Sequence, residues 1–193
     1  MLEKKYIAFN KPYAVLCQFS RPEGSDKKTL AAFGFPKDVY SVGRLDFESE
    51  GLLILTDDSQ LNSKLLSPKY SHQRTYFACV ENIPSAEQLQ MLCRGVIIEG
   101  KKTLPAQAKL LAEEPRLPPR AVSIRQRKHI PIAWIELSLI EGRNRQVRKM
   151  TAAIGCPTLR LVRVAIGRLS LFDLKLPLGE WKLLNEADLR QML

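Results

Sequence analysis

Histidines, paired cysteines and long apolar runs are what this sequence has least of. Among 193 residues there are 2 His and 4 Cys, and Cys17, Cys79, Cys93 and Cys156 stand far apart with no CxxC pair. That scatter speaks against a structural zinc site, so no metal is expected. The cysteines read as buried and reduced, as in a cytoplasmic protein. No run of about 18 apolar residues exists, so nothing in the sequence is expected to span a membrane. The chain opens Met1-Leu2-Glu3-Lys4-Lys5 and passes straight into strand-like Tyr6-Ile7-Ala8-Phe9. A signal peptide would need an apolar stretch and a small-residue cleavage site there.

Acidic residues are also in the minority. Lys and Arg number 30 against 20 Asp and Glu, a formal charge of +10. An excess of that size points to a polyanionic partner, because each neutralised phosphate releases a counterion. Hydrophobic residues make up 45% of the chain, enough for one large domain or two small lobes around a packed interior.

The pattern along the chain mixes strands and helices without strict βαβ alternation, which predicts an α+β fold. Tyr6 to Phe9 reads as a strand ended by Asn10-Lys11-Pro12, with Val15 to Phe19 as its hairpin partner and Arg21 to Lys28 as a loop. Leu52-Leu53-Ile54-Leu55 suits a buried strand. Asp57 or Asp58 then caps a helix whose Leu61, Leu65 and Leu66 face inward and which Pro68 stops. Thr75 to Val80 is a further strand. Ser85 and Gln88 form the capping box of a short helix closed by Gly95. Ile135, Leu137 and Leu139 alternate with Glu136 and Ser138, as in a half-buried strand. Asn144 is placed to cap a helix with Val147, Met150 and Ile154 on one face, ended by Gly155. Leu159 to Val164 and a final helix near Asn185 complete the pattern.

Three segments carry candidate chemistry. In Val42-Gly43-Arg44-Leu45-Asp46-Phe47-Glu48-Ser49-Glu50-Gly51, two glycines bracket a polar loop just before the buried strand. A carboxylate there is held by a rigid element and still reaches a substrate. Taken alone, Asp46 reads first as a turn or cap residue. In Arg74-Thr75-Tyr76-Phe77, the tyrosine is either a base-stacking residue or an ordinary half-buried strand residue. In Glu141-Gly142-Arg143-Asn144-Arg145-Gln146-Val147-Arg148-Lys149-Met150, the spacing puts Arg145, Arg148 and Lys149 on one helix face with no acidic partner on it. An anionic ligand would relieve their mutual repulsion. The stretch from Arg116 to Ile130 is a further basic, exposed segment, open to reading as an ordinary charged loop.

Gly-Arg-Leu-Asp followed by Ser-Glu-Gly-Leu-Leu-Ile-Leu-Thr-Asp-Asp resembles the catalytic motif of the RsuA-type branch of pseudouridine synthases. Asn10-Lys11-Pro12 is similar to that branch's first motif and Glu141 to Met150 to its third, in the same order and spacing along nearly the whole chain. Ala14 stands where the first motif usually has Gly, and Arg74 where Lys is common. The resemblance implies a mixed, largely antiparallel sheet in two lobes, flanked by helices, with the active site in the cleft between them. It implies one catalytic domain over 1–193 without the small N-terminal S4-type module, since the first motif begins almost at once. That truncation resembles the E-type large-subunit enzymes of the branch, so the implied partner is 23S ribosomal RNA. A monomer acting without a small-molecule cofactor or a membrane is expected.

By the same resemblance Asp46 is the catalytic carboxylate, attacking covalently or taking a proton from the sugar. Tyr76 stacks on the flipped base and accepts the C5 proton, and Arg148 pairs with the carboxylate. Arg44 is expected to hold the RNA backbone or its own loop. Arg120, Arg125, Arg127, Lys128, Arg143, Arg145, Lys149 and Arg163 are expected to bind phosphate. Two rivals remain on the residues alone. A non-catalytic RNA-binding or ribosome-assembly protein explains the charge but not a carboxylate in the Gly-Arg-Leu-Asp loop. A glycosidase using Asp46 with Glu48 or Glu50 leaves the basic excess unexplained.

Overall fold

The computed structural model describes residues 4–70, 72–124, 127 and 129–193. In chain order the elements are β1 (Tyr6–Lys11), β2 (Val15–Leu16), β3 (Lys28–Thr29), β4 (Tyr40–Ser41), β5 (Ser49–Thr56), α1 (Ser59–Leu66), β6 (Arg74–Glu81), α2 (Ala86–Arg94), β7 (Ile97–Ile98), β8 (Lys101–Lys102), β9 (Gln107–Leu110), β10 (Ile132–Leu139), α3 (Gln146–Ala153), β11 (Thr158–Ile166), β12 (Leu169–Ser170), α4 (Leu171–Leu174), β13 (Trp181–Leu183) and α5 (Glu186–Met192). They form two compact units: Met1–His72 with Arg163–Leu193, and Gln73–Val162. The fold is α+β, with mostly antiparallel strands.

In the first unit β5 is buried at every residue. It pairs antiparallel with β1, placing Ala8 opposite Ile54 and Lys11 opposite Gly51, and β1 pairs in turn with β13. Alternation divides the side chains between two faces. Ala8, Leu52 and Ile54 join the apolar cluster with Leu61 and Leu65 of α1 and Leu169, Leu176, Leu184 and Met192. On β1's other face Phe9 meets Phe33 and Phe35 at ring-centroid distances of 4.8 and 5.1 Å, and Trp181 meets Phe35 at 5.8 Å with its ring tilted. Asp58 is the residue that caps α1, accepting from the amides of Gln60 and Leu61 at 2.9 and 3.3 Å. Two expectations fail here. Val15–Leu16 does not return along β1 but pairs in parallel with Lys28–Thr29. Leu66 is exposed, since Leu61 and Leu65 share the core-facing side of α1 at i and i+4 and the next residue turns away from it.

The second unit is built on β10, which pairs antiparallel with β6 along its whole length and with β9 on its other edge. The Ser85–Gln88 capping box forms as read, and Gln88 Nε2 also donates to the carbonyl of Ile154 at 2.6 Å. Val147, Met150 and Ile154 are buried. The cap of α3 differs from the expected one. Arg145, not Asn144, precedes the helix, in a left-handed conformation with φ +51° and no side-chain cap. Between α2 and β9 lies a hairpin not foreseen: β7 and β8 joined by Glu99–Gly100, both at positive φ. All four cysteines are free thiols, but only Cys79 and Cys156 are buried. Burial pushes the Cys79 thiol up to about 11.

Candidate active site

Asp46 stands in the first unit, half-buried, on the loop that leads into β5. Four backbone contacts define that loop. Ser49 N–H donates to the Asp46 carbonyl at 3.0 Å, Ala14 N–H to the Phe47 carbonyl at 2.9 Å, Val42 N–H to the Ile54 carbonyl at 2.8 Å, and Leu45 N–H to Cys17 Sγ at 3.3 Å. The two bracketing glycines have φ of +67° and +102°. Gly51 also lets backbones approach closely, because a Cβ there would lie 2.2 Å from the Arg163 carbonyl oxygen.

Beneath the loop's carbonyls lies a residue to which sequence reasoning gave no role. Lys11 is fully buried, and its ammonium donates to the carbonyls of Ser49 at 2.7 Å and Pro12 at 2.9 Å, with Phe47 at 3.5 Å. One cation thus ties the strand carrying the first motif to both sides of the turn after Asp46. Burial lowers the Lys11 pKa to about 8, and the charges of Glu50 and Asp46 oppose that fall. The signal was present: a lysine closing a short strand whose middle, Ile7-Ala8-Phe9, is apolar. Ala14, where the motif usually has Gly, has φ +58°, the left-handed region that an L residue enters at a cost.

Arg163 is buried, and its Nε donates to the Leu52 carbonyl at 2.7 Å, which braces β5. Arg44 is exposed on the Asp46 loop. Glu48 is exposed as well, while Glu50 is buried within β5, which removes it as a carboxylate partner for a sugar.

Tyr76 and Arg148 belong to the second unit. Tyr76 is buried on β6, opposite Leu137 of β10, and shares its strand face with Arg74. The Arg74 guanidinium comes within 3.8 Å of where a Cβ on Gly142 would be, so β6 brings a cation against the third motif. Glu141 and Gln146 shape that motif. The Glu141 carboxylate accepts from Gln146 Nε2 at 2.6 Å and from Leu104 N–H at 3.0 Å, and Gln146 Oε1 accepts from Arg143 N–H at 2.8 Å. Arg148 is half-buried, one turn into α3, and its Nη1 donates to the Thr158 carbonyl at 3.3 Å.

The other basic residues divide. Arg143 donates to the carbonyls of Ile98 at 2.9 Å and Lys101 at 3.3 Å, clasping both strands of the β7–β8 hairpin. Lys149 pairs with Glu99 of the same hairpin at 2.7 Å. The acidic partner absent from the helix face comes from a turn 50 residues earlier. Arg120 folds onto its own loop, donating to the carbonyls of Val122 and Ser123. Arg127 lies 3.7 Å from Glu81, and Arg145 is exposed. Arg125 and Lys128 lie outside the described residues. Among the described residues no cluster of three or more His, Cys, Asp or Glu could hold a metal, and no helix is long and apolar enough to cross a membrane.

A carboxylate thus stands on a pinned loop ahead of a buried strand in the first unit, and an arginine-rich loop-helix stands in the second. Residues 5–153 match the RNA pseudouridylate synthase family, and the chain belongs to it. Among its relatives, the ribosomal large subunit pseudouridine synthase E of Xanthomonas axonopodis pv. citri (strain 306) is 55% identical over 83% of this chain and 85% of its own. The protein of the same name in Vibrio vulnificus (strain CMCP6) is 50% identical over 94% of this chain and 76% of its own. A crystal structure of a pseudouridylate synthase superposes with a TM-score of 0.80 at 26% identity, covering 100% of this chain and 75% of that one.

Proposed function

We propose that this chain isomerises a uridine to pseudouridine in 23S ribosomal RNA, and that Asp46 is the carboxylate on which the reaction depends. The observation that carries the reading is the identity of 50–55%, over more than four-fifths of the chain, to relatives named as large-subunit synthases. The cytoplasm follows as the setting from that substrate.

The reaction breaks the C1′–N1 bond and forms a C1′–C5 bond. A proton leaves C5 and N1 gains one, so atoms balance without a redox or group-carrying cofactor. Asp46 acts at the ribose, either by attack on C1′ or by taking a sugar proton. Lys11 and Gly51 support the part by holding the loop's backbone, so that the carboxylate need not be ordered at the moment of reaction. Tyr76 is the aromatic surface for the flipped base and the acceptor of the C5 proton, and Arg148 is the arginine that keeps a carboxylate ionised and oriented. The protein acts as a monomer.

The test uses ribosomal RNA from cells lacking this protein. Incubation with the purified protein should create pseudouridine in 23S RNA and none in 16S RNA. Conversion confined to 16S RNA would overturn the substrate. RNA bound without conversion would turn the reading toward a non-catalytic assembly protein.

A further inference from the structure

On the first unit, α1 and the 3-10 turn Pro68–Tyr70 border an open cleft of about 610 Å³, lined by Ser59, Gln60, Ser63, Lys64, Ser67, Lys69 and Tyr70. Leu61 and Leu65 turn α1's apolar side into the core, which leaves Ser59, Ser63 and Lys64 exposed. Tyr70 keeps half its surface in water, which leaves its ring accessible. It is not loose. The buried His72 ring lies nearly parallel to it, with centroids 6.0 Å apart. The Lys64 ammonium sits 5.9 Å from the Tyr70 centroid. Among the described residues no acidic side chain lines the cleft.

We propose that this cleft seats one unstacked nucleotide of single-stranded RNA, its base on Tyr70 and its phosphates at Lys64 and Lys69. An aromatic face, ammonium groups and small hydroxyls are the three components such a site needs: stacking for the base, charge for the backbone and hydrogen-bonding groups for the 2′-hydroxyl. A bound cation would require carboxylates, and a neutral ligand would leave two lysines without purpose. In the absence of RNA, Lys64 rests near the ring, and it moves to the phosphate when a base arrives. This deepens the proposed function and rests on RNA being the substrate.

The test measures binding of a fluorescein-labelled single-stranded oligouridylate, together with KM and kcat on 23S RNA. Tyr70→Ala should weaken oligouridylate binding and raise KM, each by about tenfold. Tyr70→Phe, which keeps the ring, should restore both. Lys64→Ala with Lys69→Ala should reduce the salt slope of binding by about 1.4, the value for two single-strand phosphates. Thermal unfolding identifies any variant that fails to fold, and Tyr70→Phe and the lysine pair then carry the test. Unchanged affinity in Tyr70→Ala, a Tyr70→Phe protein as weak as Tyr70→Ala, or a loss confined to kcat would each overturn the cleft as an RNA site. A wild-type protein that converts no RNA would instead overturn the proposed function, whatever the oligouridylate result.

Discussion

The loop around Asp46 and the loop from Glu141 to Arg148 are held by opposite kinds of group. The first is pinned by Lys11, a fully buried cation that donates to backbone carbonyls, and lies beside β5, braced by Arg163. The second is shaped by the Glu141 carboxylate, which accepts from Gln146 and Leu104, with the Lys149–Glu99 pair nearer the solvent. A buried cation without its carbonyls would be costly, and so would the carbonyls without the cation, so the arrangement is all-or-none. An ion pair with a largely exposed Glu99 is screened by water and salt and is weak. The Asp46 loop is therefore expected to be the more rigid of the two and the less sensitive to salt.

The largest change should follow Lys11→Met. It removes the donor from two carbonyls held at 2.7 and 2.9 Å. A loss of about 1–3 kcal/mol is expected in denaturant unfolding at unchanged m-value, with turnover falling alongside. The same residue predicts a pH effect of definite sign. Free lysine titrates near 10.5 and Lys11 in the fold near 8, so between those values the unfolded chain binds more protons. The penalty for burying the charge is complete below about 8 and is relieved as pH rises, so stability should climb over that window relative to Lys11→Met. Parallel pH profiles would show that Lys11 titrates normally.

Next in size is the contrast between Arg148→Lys and Arg145→Lys. Both keep the charge, but only the first should lose a planar fork used in the reaction. Arg148→Lys is expected to lower kcat by at least about tenfold more, or about 1.4 kcal/mol in barrier, in single-turnover assays. Equal and small effects would make Arg148 a backbone contact.

Ala14→Gly should move the other way. Ala14 holds φ +58°, and glycine relieves that strain while loosening the unfolded chain. A gain of up to about 1 kcal/mol is expected, read from the unfolding midpoint. The smallest effect belongs to Glu99→Gln. It should free the β7–β8 hairpin slightly at low salt and change nothing near 1 M, where the screening length is about 3 Å. Hydrogen exchange of the Gly100 and Lys101 amides reads it directly.

Much of the scaffold was legible because local signals agreed with tertiary ones. Leu52 to Leu55 had only one plausible destination, and the Ser85–Gln88 box needs no distant partner. What escaped depended on residues far away in the chain. The parallel pairing of Val15–Leu16 with Lys28–Thr29, the burial of Arg163 and the Glu99 partner of Lys149 are all non-local. The Arg145 cap was missed because a left-handed arginine has no distinguishing spacing, whereas Asn144 looked like a cap. For the site, motif resemblance pointed to Asp46, Tyr76 and Arg148 but not to the lysine that holds the Asp46 loop in place.

The central claim is that Asp46 carries isomerisation while the rest of its loop merely presents it. Asp46→Asn keeps the side chain's shape and loses its charge. Measured beside wild type on 23S RNA from cells lacking the protein, it should bind RNA with nearly wild-type affinity and form no pseudouridine. Conversion within about tenfold of wild type, a barrier change below about 1.4 kcal/mol, would contradict the account.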